Sequence, residues 1–172
     1  MNNLVWRNIG RFVLLMLMQL LVLNYVYLGG YIMPILYVLF ILMLPTTIKR
    51  IPLLLIAFFT GLLVDIMSGA LGFHALACLV VAMARILFAD RILTRGENTE
   101  VLTPGIHTVS PQYFVSYLLL MYGIFYFVFF TAELFSFRGL GGVLLSTVLS
   151  TLVATLLSVI YQIVFTKKEE IL

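Results

Sequence analysis

The chain has 172 residues, 63% of them hydrophobic and only 10% charged, with a formal net charge of +3 and a mean hydropathy of +1.18. About a quarter of an ordinary globular chain is charged, so this composition excludes a soluble domain and predicts a protein whose solvent is lipid. It also excludes nucleic acid as a partner, because the basic residues are those needed to flank membrane spans. The single cysteine, Cys78, builds neither an intrachain disulfide nor a CxxC metal site.

A run of roughly twenty apolar residues crosses a bilayer, and six such runs are predicted, at about 12–29, 31–48, 52–68, 72–90, 113–134 and 140–166. Backbone groups in lipid need partners within their own segment, and the runs lack the alternation of a barrel strand. The expected fold is an all-α integral membrane protein, one transmembrane domain over residues 1–172. The first run follows a basic start like that of a signal peptide, but no small-residue cleavage pattern comes after it. It is predicted to be a retained span.

Charge sets the expected orientation. Arg7, Arg11, Lys49, Arg50, Arg91, Arg95, Lys167 and Lys168 fall on one side of a six-span arrangement, and Arg138 alone on the other. The positive-inside rule then predicts both termini in the cytoplasm.

The third span begins beside Lys49 and Arg50, with Pro52 in its first turn, and runs outward. It carries Gly61 and, one turn later on the same face, Asp65, at roughly 20 Å from the inner edge of the hydrocarbon. Ser68, Gly69 and Gly72 predict a turn, and His74 opens the fourth span. Two readings of Asp65 stand open. It caps the free N–H groups that start the next helix, or it belongs to a ligand or partner site, as intramembrane acids commonly do. His74 has no nearby set of ligating residues and reads as a satisfied side chain at a helix start rather than a metal ligand. Arg85, deeper on the fourth span, either snorkels to the headgroups or pairs with Asp65.

The polar stretch from Asp90 to Pro111 is too short for a domain and reads as a loop. The fifth span is aromatic, with Tyr113, Tyr117, Phe125 and Phe129 on one face and Tyr122, Tyr126 and Phe130 on another. An aromatic surface of this kind faces lipid or accepts a partner's helix, and Tyr122, Phe125, Tyr126 and Phe129 are the expected partner interface. The sixth span repeats small residues every four positions, Gly142, Ser146, Ser150, Ala154 and Ser158, a seam for close helix packing inside the bundle or against a partner.

No nucleophile elbow, P-loop, metalloprotease motif or pair of carboxylates at catalytic spacing occurs. The expectation is a protein that is not an enzyme and holds no cofactor or metal.

The pattern G-L-x-x-D-x-x-x-G-x-x-G-x-H-A-L, formed by Gly61, Leu62, Asp65, Gly69, Gly72, His74, Ala75 and Leu76, resembles the signature of the rod shape-determining protein MreD family. Chain length, span number and a short basic tail are similar too. The resemblance implies the six-helix fold shared with substrate-binding components of energy-coupling-factor transporters. It further implies a bacterial inner-membrane scaffold of cell elongation and peptidoglycan synthesis. Its expected partners are a single-span MreC-like protein and, through it, MreB, RodA and a class B transpeptidase, besides membrane lipid. A small-molecule-binding membrane component of a transporter is the alternative.

Overall fold

The computed structural model describes residues 2–21, 23, 31–93, 104–106, 109–134 and 140–165. Their regular elements are helices: α1 (Asn2–Leu21), α2 (Val38–Leu42), α3 (Arg50–Ser68), α4 (Phe73–Leu93), α5 (Pro111–Leu134) and α6 (Leu140–Phe165). Three of them, α3, α5 and α6, are long and apolar enough to cross a membrane. At 1.5 Å per residue the 19, 24 and 26 residues of these helices span about 28, 36 and 39 Å. The predicted spans 52–68, 72–90, 113–134 and 140–166 agree with α3 to α6 within a few residues. Helix α1 starts ten residues before the predicted 12–29, and the part of that span beyond residue 23 lies outside the described residues.

The second predicted span, 31–48, is not one helix. Residues 33–36 have no helical structure, and only the five residues of α2 coil. Two prolines are the cause. Pro34 offers no N–H and pushes Met33 out of the helical region. Pro45 cannot donate to the carbonyl four residues back, on Ile41, and α2 ends before it. Even so, everything from Pro34 to Pro45 is buried. A segment that is helical only over α2 has become the axis of the bundle.

Side-chain contacts along this axis give the direction of every element. From Pro34 to Leu44 the segment meets Gln19 and then Phe12 of α1. In the same order it meets Cys78 and then Arg85 of α4, Tyr126 and then Tyr117 of α5, and Ser150 and then Gln162 of α6. So α4 and α6 run parallel to it and α1 and α5 antiparallel, while α3 returns against α4 through a short turn. Among the described residues, five helical passages and one interrupted passage thus alternate in direction. Lys49, Arg50 and Arg85 lie toward one end, where Arg11 is within electrostatic reach of Tyr161. Of the other basic residues used for orientation, the side chains of Arg7 and Arg91 and all of Arg95, Arg138, Lys167 and Lys168 fall outside the described residues.

The outward faces are apolar, for example Leu145, Val148, Leu152 and Leu156 on α6 and Ile51, Leu55, Phe59 and Ile66 on α3. A helix that is apolar on all sides suits a lipid-facing bundle whose interior is distinguished by polar rather than apolar residues.

Candidate functional site

The motif residues converge on the turn between α3 and α4. Helix α3 ends at Gly69 in the left-handed region (φ 68°), with the Ala70 N–H returning 2.9 Å to the Asp65 carbonyl, and Gly72 is also left-handed (φ 91°). Glycine reaches these angles without the steric strain that a Cβ would add. Gly61 serves a different purpose. A Cβ there would sit 2.6 Å from Ala75 Cα and 2.6 Å from the His74 carbonyl oxygen, both backbone atoms. Only a residue without a side chain lets α3 and α4 approach this closely.

With the two helices in contact, the Asp65 carboxylate lies under the start of α4. The main-chain N–H of His74 donates to Oδ1 at 3.1 Å and that of Ala75 to Oδ2 at 2.8 Å, while His74 Nδ1 is 3.0 Å from Oδ1. Asp65 is 2% exposed and His74 4%. Of the two readings open for Asp65, the capping one describes its contacts: a carboxylate buried in an apolar setting is compensated by N–H donors and by the positive end of α4. The imidazole is packed by Phe129 at 4.6 Å and Tyr37 at 6.2 Å between ring centroids, and the Cys78 thiol donates to the Tyr37 hydroxyl at 3.9 Å.

Arg85 does not pair with Asp65, and it is buried rather than extended along the surface. It lies eleven residues beyond His74, roughly 16 Å along α4, is 3% exposed, and donates to the main-chain carbonyls of Ile41, at 2.8 Å, and Leu44. At Ile41 the guanidinium adds a short bond to the long one from Leu44 N–H, 3.4 Å, which stands where Pro45 has no N–H to give. Tyr117 donates to the neighbouring Leu42 carbonyl at 3.3 Å.

The upper part of the interrupted passage is satisfied in the same way. Gln19 donates to Pro34 O at 3.2 Å and accepts from Leu36 N–H at 2.8 Å. The Tyr126 hydroxyl accepts from Ile35 N–H at 2.9 Å and donates to Met33 O at 2.7 Å. Ser150 accepts from Met33 N–H at 3.1 Å and donates to Tyr31 O at 3.4 Å. An unpaired peptide group in hydrocarbon costs several kcal/mol, so these side chains are what allows the passage to leave the helix.

This overturns the expected partner interface on α5. Tyr122, Phe125, Tyr126 and Phe129 are all 2% exposed or less and point into the bundle. Tyr126 serves the axis segment, Tyr122 bonds Ser158 at 2.7 Å, and Phe125 and Phe129 pack on Tyr37 and His74. The outward face of α5 is a different one, with Tyr113, Leu119, Leu120 and Phe127. Hydropathy does not separate the two faces, because lipid and protein interior are equally apolar. The small-residue seam of α6 does face inward at Ser146, Ser150, Ala154 and Ser158, but Gly142 is exposed with open space around it and lies off the seam. The seam receives the axis segment and α5. Gln19 and Gln162, polar residues inside apolar runs and almost wholly buried, are interior residues that sequence reasoning passed over.

Comparison with known proteins finds no matching family model, curated protein or solved structure.

Proposed function

We propose that this chain is a non-enzymatic scaffold of the bacterial cell-elongation machinery, of the MreD kind. It would reside in the inner membrane with both termini cytoplasmic, bind a single-span MreC-like protein, and through it link RodA and a class B transpeptidase to MreB. Three helices of membrane-crossing length support the setting. The observation that carries the scaffold reading is the use of the motif: Gly61, Asp65, Gly69, Gly72 and His74 are engaged in joining α3 to α4. A polar cluster consumed in bracing two helices suits a protein that presents a fixed outer surface. A binding protein would turn such groups toward its ligand.

Depletion in the bacterial host tests this reading. The expected result is loss of rod shape with continued growth in mass, rescued by the wild-type chain and not by Gly61→Leu. Normal shape after full depletion contradicts it.

A transporter component remains the second reading, favoured by the interrupted passage itself. Broken helices line substrate sites in many transporters. The hydroxyls of Thr147, Thr151 and Thr155 are moreover buried without a hydrogen-bond partner among the described residues. Accumulation of a small solute that depends on the chain would favour it.

A further inference from the structure

At the end of the bundle opposite the Asp65–His74 turn, the connection from α2 to α3 and the side of α4 flank an open cavity of about 200 Å³. Its lining is Pro45, Thr46, Ile48, Lys49, Arg50, Leu53, Arg85 and Ile86. Three of these eight are cations and none is an acid. They differ in kind: Lys49 and Arg50 are exposed at the rim, whereas Arg85 is buried in the wall, its guanidinium held in place by the Ile41 and Leu44 carbonyls. The first turn of α3, which has no side-chain cap at Lys49, opens at the same rim and adds the positive end of a 19-residue helix. The remaining lining is largely apolar, through Pro45, Ile48, Leu53 and Ile86.

From this juxtaposition we propose that the cavity binds the phosphate of an anionic phospholipid headgroup, with the lipid's apolar part against Ile48 and Ile86. The ligand class follows from the lining. Phosphate matches a fixed guanidinium with two mobile cations, and basic pockets between membrane helices hold anionic headgroups. The apolar lining beside the cations, Pro45, Ile48, Leu53 and Ile86, has no use for a soluble phosphate and suits an amphiphile. Bound there, the lipid would bridge the α2–α3 connection to α4 and stiffen the end of the molecule that the α3–α4 turn does not reach.

The test is native mass spectrometry of the full chain in detergent, titrated with phosphatidylglycerol, phosphatidylcholine or inorganic phosphate, with a thermal melt of each protein. The expected result is retention of one phosphatidylglycerol in preference to phosphatidylcholine, not displaced by inorganic phosphate. A basic residue near the membrane surface contributes roughly fivefold in affinity, so Lys49→Gln with Arg50→Gln should weaken binding about 25-fold. Ile48→Trp keeps every charge and fills the cavity, and should also abolish retention. If Ile48→Trp retains the lipid like the wild type, the attraction is a general surface effect and the proposal fails. Displacement by inorganic phosphate makes the site one for a soluble anion and overturns the lipid assignment. Unchanged binding in the double charge variant, whose altered side chains are exposed and outside the packed core, overturns it as well.

Discussion

Asp65 and His74, nine residues apart, meet twice: the carboxylate accepts the His74 main-chain N–H at 3.1 Å and lies 3.0 Å from its ring nitrogen. Together with the Ala75 N–H, this makes one buried side chain the fastening between two helices. Asp65→Ala should strand both main-chain donors and remove the imidazole's partner, destabilising the fold by about 2–4 kcal/mol. Asp65→Asn keeps one acceptor and should lose about half as much. Thermal melts in detergent check the order; an Asp65→Ala protein that melts like the wild type would remove the cap from the account.

The glycines of the motif should separate by mechanism. Gly61→Ala places a methyl 2.6 Å from the backbone of α4, and helix backbone cannot yield as a side chain would, so the helices must part. The expected loss exceeds the roughly 1 kcal/mol of strain at Gly69→Ala, where φ is positive but space is open. Gly142→Ala, exposed and unhindered, should be neutral. The same melts rank the three, and a neutral Gly61→Ala would show that the approach of α3 to α4 is not tight.

Replacing Arg85 by Leu removes the donor to the Leu44 carbonyl and leaves the Ile41 carbonyl only the long bond from Leu44 N–H, 3.4 Å, a loss of about 1–3 kcal/mol. Tyr126→Phe should uncouple Ile35 N–H and Met33 O at the other end of the axis. Ser150→Leu, which also drives a bulky group into the axis, should damage the fold. Hydrogen exchange locates each effect: amides of residues 33–44 should exchange faster in these variants while those of α3 hold. Uniform acceleration across the chain would mean that the passage is not a separate unit of stability.

Much of this arrangement was legible in the sequence, and the illegible parts share a cause. Gly61, Asp65, Gly69, Gly72 and His74 mark a turn because their backbone requirements are local. The interruption at 31–44 had its signals in Pro34 and Pro45, but a continuous apolar run outweighs two prolines when hydropathy alone is read. The inward face of α5 left no such trace. Phe125→Ala with Phe129→Ala is accordingly expected to collapse the interior, at about 3–5 kcal/mol for each ring, rather than release a partner. Loss of a partner at an unchanged melt would return these rings to an interface.

Orientation is testable through the turn itself. Leu71, 87% exposed between α3 and α4, should react from outside the cell with an impermeant thiol reagent when replaced by cysteine. Thr46→Cys, at the basic end, should react only after the membrane is opened. Native Cys78 is buried and gives a low background. The reverse pattern would invert the topology.

The central claim, a scaffold of cell elongation, is tested most directly by purifying the tagged chain from bacterial membranes in mild detergent and identifying what accompanies it by mass spectrometry. The expected companion is a single-span protein at near-equal amount, with wall-synthesis enzymes recovered through it and lost when it is absent. Recovery of an ATP-hydrolysing module with its coupling subunit, and a small molecule bound to the chain, would contradict it.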